Sequence, residues 1–547
     1  MDTLPLSVAR EVRSVAWRQA WMAANEMANF PFDAAADKAA VIEHFEALKL
    51  EVSRLSLALS DDVLTDIKLL ALNASWYAAY ERQGRAAAAA QAKAEFENLA
   101  LALSLAKDEI SERLADEIKW TCWNASWHAS NSRSGNASDA ASDLKGFRRH
   151  SRAMSEAPYR GVSLGGWLLL ERWQCGTVFA GTTSSAAPDE WSLSRVLGPA
   201  EACRRIKKWR SEWITKDDFA SIKALGFNTV RVPFGWWIVD GVEDAVDTGP
   251  LVTGGASHLD DAVSWAQEVG LRVYLDLHSG VGFQSGHHAT GRENADWKPD
   301  DWDMHATVEV LSMVAERFRN SPCVCGIGVI NEPSNEVPIS SLIDFYRKAY
   351  AAIRSAGMSC EAVDVIFPVY QRNLVDFTSL GFPDASMDRA VLDLHLYQCF
   401  GDGWTQLSLQ QHLTRAADGT GHWPGIYEVT DAGHLASVSE WSLRLPDWDP
   451  SFGMYAEWSK MSDAERGEAL FEYGARQMRQ YSAGVGWWFW CWKVDVATEP
   501  WWSIQECVDR GWLKPGLWQQ FEGAKGDRRR GGQGPQRPEK KRSWFFW

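Results

Sequence analysis

The sequence contains no apolar run long enough to span a bilayer, which needs about 20 consecutive apolar residues, so no membrane span is expected. Its first twenty residues carry Asp2, Arg10, Glu11, Arg13 and Arg18 and lack the uninterrupted apolar core of a secretory leader. By sequence this predicts a cytoplasmic protein. Positive charge is in short supply too. The formal net charge is −16, which argues against nucleic acid as a partner, because backbone phosphates demand a basic surface. The cysteines are few and scattered from Cys122 to Cys507, and Cys323-Val-Cys325 has no second pair at zinc-site spacing. Buried free thiols are therefore expected rather than a disulfide framework or a metal centre. Proline is nearly absent from the first 130 residues, where only Pro5 and Pro31 occur.

What is present divides the chain in four. Residues 1–130 are rich in Ala, Leu, Glu and Lys, and Val63, Leu64, Ile67, Ala71, Ala74 and Ala78 hold one apolar stripe at helical spacing. Leu72-Asn-Ala-Ser-Trp76 is echoed by Trp123-Asn-Ala-Ser-Trp127, a period of roughly fifty residues that suits stacked helical hairpins. An all-α domain is expected there. Residues 131–157 are Ser-, Asn- and Arg-rich and read as a linker. Residues 158–522 change texture to short apolar runs alternating with helical segments. Residues 523–547 are rich in Gly, Arg, Lys and Pro and predict a disordered basic tail.

The third region carries the chemistry. Val324-Cys-Gly-Ile-Gly-Val-Ile-Asn-Glu-Pro333 is an apolar strand that ends in a carboxylate and a proline. Six further runs share that design: Arg160–Trp167, Phe227–Pro233, Leu271–His278, Val391–Tyr397, Leu435–Trp441 and Gly486–Trp492. Apolar strands alternating with helices imply a parallel sheet. Polar tips on many separate strands imply a closed (β/α)8 TIM barrel with one functional mouth. The predicted fold class is thus α/β, with the barrel preceded by the all-α domain.

Two tips carry glutamates, Glu332 and Glu440. Cleaving a glycosidic bond takes two carboxyl groups flanking it, one protonated and one ionised, with environment splitting their pKa values. Arg231 could hold one carboxylate negative and Tyr397 could donate to the same oxygens. His278 and His395 could bind sugar hydroxyls, Asn331 could reach a 2-hydroxyl, and Trp492 offers a flat floor for a sugar ring. Each has a plainer reading. Arg231 could serve a structural acid, and the histidines could be satisfied core residues. The neighbouring His287-His288 lacks a third ligand at metal-site spacing.

Residues 159 to about 515 resemble glycoside hydrolase family 5, nearest to its fungal-type exo-β-1,3-glucanases. The residues that carry the likeness, in order, are Arg160–Glu171, Trp213–Phe219, Phe227–Pro233, Leu275–His278, Asn331–Pro333, His395–Phe400, Ser439–Ser442 and Phe489–Lys493. The resemblance implies a retaining β-glucosidase acting on a β-glucan or oligosaccharide, without metal or organic cofactor. Glu332 would be the acid/base and Glu440 the nucleophile, with their carboxyl groups about 5–5.5 Å apart. It implies sugar contacts from Arg231, His278, Asn331, His395, Tyr397 and Trp492. It also implies a terminal-sugar grip from Glu171 and half of an aromatic clamp from Phe400. Relatives of this kind are usually secreted. The chain departs from the pattern at His287, where Phe is usual, at His288, where Asp is usual, and at Arg172-Trp-Gln-Cys175. An endo-glucanase, a mannanase, a glycolipid glycosidase or a carbohydrate-binding protein without activity therefore stays open.

Overall fold

The computed structural model describes residues 158–521, apart from 361, 385 and 423, together with 90–94 and 96. The expected N-terminal helical domain, apart from a helical stretch at 90–94, lies outside the described residues, as do the linker and the basic tail. The chain divides into two units between Ala157 and Pro158, and the second contains everything that follows.

That unit is a closed barrel of eight parallel strands in sequence order. The strands are β1 (Tyr159–Ser163), β2 (Thr229–Gly235), β3 (Arg272–Ser279), β4 (Val324–Gly328), β5 (Asp364–Pro368), β6 (Ala390–His395), β7 (Leu435–Glu440) and β8 (Gly486–Phe489). Closure is made by β8 on β1, with Tyr159 opposite Gly486 and Val162 opposite Phe489. Helices fill the crossovers, among them Ala256–Val269, Met304–Phe318, Ile339–Ser355 and Asp463–Tyr481. Strands of a parallel barrel are covered on both faces, which is why these runs are apolar without alternation. β2, β4, β5 and β7 are buried along their whole length. Helix starts follow local chemistry. Thr215 with Asp218, and Ser462 with Glu465, form reciprocal capping boxes. Gly270 ends the helix Ala256–Val269 in the left-handed conformation.

Seven of these strands coincide with apolar runs legible in the sequence, and β5 does not. Its five residues, Asp-Val-Ile-Phe-Pro, are too few for a periodic signal and no carboxylate marks their tip. Pairing supplies what the pattern lacks, since β5 is bonded to β4 on one side and β6 on the other. Among the described residues no helix is long and apolar enough to cross a membrane. The eight described cysteines are free thiols and six of them are buried, the state expected from their spacing.

Large side chains fill the barrel, and small residues on neighbouring strands make room for them. Trp488 packs against Tyr274 at 5.1 Å between ring centroids. Gly328 on β4 sits beside Asp276 on β3. A methyl group at 328 would stand 2.6 Å from the Tyr274 hydroxyl and 2.8 Å from Asp276 Oδ1. We expect Gly328→Ala to cost about 1–3 kcal/mol of unfolding free energy, read by denaturant titration. It should also lower turnover, because the crowded Asp276 belongs to the site described next.

Candidate active site

The carboxyl ends of the strands converge on one ion-pair network, with Arg231 of β2 at its centre. Its side chain is wholly buried. One guanidinium nitrogen donates to Glu440 Oε1 at 2.8 Å. The other donates to Asn331 Oδ1 at 2.8 Å and pairs with Asp276 Oδ2 at 2.9 Å. Burial alone would lower its pKa, but Asp276 and Glu440 outweigh that and hold Arg231 well above its usual value. Asp276 Oδ2 also accepts from His278 Nδ1 at 2.7 Å. That leaves His278 Nε2 as the acceptor facing Asn331 Nδ2 at 3.3 Å. Burial works to raise the Asp276 carboxyl, and Arg231 overrides it and keeps the group below the ordinary range.

Glu440 closes β7. Its second oxygen accepts from the Tyr397 hydroxyl at 2.9 Å. Burial and the nearby Glu440 charge hold the Tyr397 phenol well above its usual pKa, so it remains a donor. Each oxygen of Glu440 is thus held by a fixed donor.

Glu332 lies past the end of β4, with a backbone φ of 38°. A side chain in this left-handed region is strained, and such strain persists only where the surroundings impose it. The Asn331 carbonyl before it is gripped by Gln284 Nε2 at 2.6 Å, and the same amide donates to the His278 carbonyl at 2.8 Å. Glu332 Oε1 meets His395 Nδ1 at 2.7 Å, and the same ring nitrogen lies 3.5 Å from Glu440 Oε2. The far side of the ring faces Ser439 Oγ at 3.2 Å and Asp393 Oδ2 at 3.5 Å. Burial pulls the His395 pKa down, but Glu440, Asp393 and Glu332 lift it to about 10. Burial likewise pushes Glu332 up, and the His395 hydrogen bond and charge bring it below the usual carboxylate range. The proton of the pair therefore rests on His395, one hydrogen bond from Glu332.

One oxygen of Glu332, one of Glu440 and one nitrogen of His395 all lie within 4.8 Å of one another. This spacing suits the roughly 5–5.5 Å of a double displacement, not the roughly 6.5–9.5 Å that admits a water between the carboxyl groups. The same three donors have the types to hold a cation, but Arg231 and protonated His395 already supply the positive charge they would seek.

The other candidates fall at the rim or behind it. Glu171 is buried and accepts from Trp173 Nε1 at 3.0 Å and from Gln174. Burial lifts its pKa to about 7. His288 approaches it at 3.8 Å. Burial, aided by His287, depresses His288 to about 4. Phe400 is exposed, stacked 6.1 Å from Trp502 and edge-on to Tyr397 at 5.8 Å. Trp492 is the correction. It is buried in the main core, its Nε1 bonded to Asp218 Oδ1 at 2.8 Å, so it offers no floor to a sugar. The indole in the site is Trp490, parallel to His278 at 5.4 Å and under the Arg231 guanidinium at 5.5 Å. β8 ends at Phe489, and by Trp492, three residues further on, the ring is directed to Asp218 instead of the network.

Sequence reasoning also passed over Asp276, Gln284, Asp393 and Tyr370. Asp276 and Asp393 are single acids two residues before His278 and His395, and alternation along a strand places each on the same face as its histidine. That spacing was a usable signal. Nothing in the sequence marks Gln284 or Tyr370, since Gln284 reaches across to Asn331 beyond β4 and Tyr370 to His395 of β6. Tyr370 lies 6.3 Å from the His395 ring.

A closed (β/α)8 barrel with two opposed carboxyl groups at its mouth defines a glycoside hydrolase. The comparisons narrow this. The family model for cellulase (glycosyl hydrolase family 5) matches residues 195–495. A glucan 1,3-beta-glucosidase of Candida oleophila is 30% identical over 384 residues, covering 64% of this chain and 87% of that protein. A probable glucan 1,3-beta-glucosidase A of Aspergillus fumigatus is 32% identical over 378 residues, covering 64% and 86%. Rutinosidase from Aspergillus niger shares the fold, with a TM-score of 0.51 at 17% identity over 65% of this chain and 98% of that one. The chain belongs to glycosyl hydrolase family 5.

The two tryptophans separate cleanly by experiment. Trp492→Phe strips Asp218 of one donor. It should cost about 1–3 kcal/mol of stability and leave KM unchanged. Trp490→Phe should lower kcat/KM about tenfold, through loosened packing on Arg231 and His278. Denaturant titration beside steady-state kinetics distinguishes them.

Proposed function

We propose that this chain hydrolyses β-1,3-glucosidic bonds of a glucan with retention, releasing sugar from the chain end. The observation that carries this is Glu440, whose two oxygens accept from Arg231 and Tyr397 while Glu332 stands across a gap the width of one glycosidic bond. Glu440 attacks the anomeric carbon. Glu332 hands a proton to the departing oxygen, and a glycosyl ester forms on Glu440 as the bond to the leaving sugar breaks. Water then attacks the ester, Glu332 takes up its proton, and Glu440 is released. The relatives named as glucan 1,3-beta-glucosidases support the substrate class. His278, Asn331, His395 and Tyr397 surround the same opening and supply hydrogen bonds to the reacting sugar, while the buried Arg231 holds Glu440 and Asn331 from behind.

The proton for the first step rests on His395 in the free site. Substrate binding excludes water, which disfavours a separated ion pair and drives the proton across 2.7 Å to Glu332. A second reading, endo cleavage or hydrolysis of a different β-glycoside, is favoured by one observation. Both oxygens of Glu171 are already engaged and His288 crowds it, so a terminal glucose would be gripped differently here.

Glu440→Gln should lower kcat on the order of 10⁴-fold or more, and a 2-fluoro-glucoside should label Glu440 in the wild type. Labelling of another residue overturns the nucleophile. Laminarin digested to glucose alone supports end-wise cleavage, whereas oligomers, or activity only on mannan or cellulose, select the second reading. His395 holds its proton up to about pH 10, so activity is present below that value and lost as pH rises through it. In His395→Asn, Glu332 must keep the proton by burial alone, and the alkaline limb of kcat/KM should move to lower pH.

A further inference from the structure

The loop after β3 encloses a second cavity, of about 230 Å3, beside the catalytic network and built from different residues. Phe283, Ser285, Arg292, Asn294, Trp297 and Asp301 line it. Phe283 and Ser285 flank Gln284, the amide that grips the Asn331 carbonyl. The cavity is thus one residue removed from the clamp on the Glu332 backbone. Its volume falls below the roughly 300–1,000 Å3 of pockets that take drug-sized ligands and suits a single ring.

The lining is held ready and left unsatisfied. The Arg292 guanidinium lies over Trp191 at 4.5 Å and over Phe283 at 5.7 Å. Among the described residues it has no carboxylate or hydrogen-bond acceptor. Asp301 accepts from the Lys298 backbone through one oxygen, and among the described residues its other oxygen has no donor. Arg292 and Asp301 line the same space without pairing. Asn294 spends its carbonyl on the Asp296 amide, leaving its NH2 group to donate. Trp297 turns its N–H away, to the Phe283 carbonyl at 2.9 Å, so its ring is what remains for the cavity. Phe283 is held at φ 71°, in the left-handed region that a bulky side chain avoids.

We infer that this cavity is a second carbohydrate site that takes one neutral glycosyl ring. Opposite charges that do not meet each other exclude a simple ion as the fitting ligand. An anion would face Asp301 and a cation would face Arg292. A polyhydroxylated ring satisfies both, accepting from Arg292 and Asn294, donating to Asp301, and laying its C–H face on an aromatic ring. The identity of the sugar rests on the function proposed above. The ligand is either the released monosaccharide or a ring of a longer chain, and the two leave different signatures.

The experiment compares the full-length wild type with Arg292→Ala and Asn294→Ala. Calorimetric titration with D-glucose should lose at least fivefold in affinity for one site in both variants. If the cavity takes the released sugar, glucose inhibits aryl β-glucoside hydrolysis by a mixed pattern in the wild type and a purely competitive one in the variants. If it takes a ring of the chain, KM for laminaritetraose rises at least fivefold in the variants while kcat/KM on the aryl glucoside stays put. Variants that match the wild type in every measurement overturn the site. So does an affinity for inorganic sulfate with no response to glucose. Arg292→Ala loses a stacked side chain, and Asn294→Ala, which does not, keeps the test decisive if the first fails to fold. A wild type that hydrolyses no β-glucoside removes the proposed function, but loss of glucose binding in the variants would still uphold the cavity.

Discussion

The barrel mouth depends on one buried fork. Arg231 is fully desolvated, and an unpaired guanidinium there would cost several kcal/mol. The structure offsets that cost by bringing three strand tips to it: Glu440 from β7, Asp276 from β3 and Asn331 beyond β4. A planar cation with fixed donors imposes direction as well as charge. Its contact with Glu440 Oε1 sets the plane of that carboxylate, and Tyr397, two residues past β6, completes it. What is required for charge balance is therefore also what aims the group proposed to attack the sugar.

The opposed carboxyl is managed by different means. Among the described residues no arginine pairs with Glu332. It has a strained backbone, a neighbouring carbonyl tied by Gln284, and a histidine whose proton it can borrow. His395 is itself braced by Ser439 and Asp393. The strand register shifts between Leu394 and His395, which brings the histidine opposite Glu440, and such an irregularity is a common way to re-aim a side chain at a strand end. One carboxylate pinned by a guanidinium and a phenol, and one hydrogen-bonded to a protonated histidine, is the asymmetry that acid/base chemistry needs from two otherwise identical side chains.

Much of this was legible in the residues. Glu332, Glu440, Arg231, His278, His395 and Tyr397 stand at the ends of apolar runs, and a barrel collects strand ends on one face. The failures share a cause. Trp492 was read as a site residue because it ends an aromatic run, yet the facing direction of Trp490 and Trp492 depends on where β8 stops pairing. β5 was missed because five buried residues carry no periodicity of their own.

The sequence by itself determined that the strands are parallel and enclosed, that polar groups cap them, and that two of those caps are glutamates in a setting shared with a family of sugar hydrolases. These are local properties, written in runs of a few residues each. Only the tertiary structure decided which side chains meet: that Arg231 binds Glu440 and not Glu332, that the spare proton sits on His395, that Trp490 rather than Trp492 joins the network, and that Arg292 and Asp301 line a cavity without touching. The first three are set by strand register and barrel closure between residues far apart in the chain, the last by how one loop folds back on itself, and no local pattern encodes either.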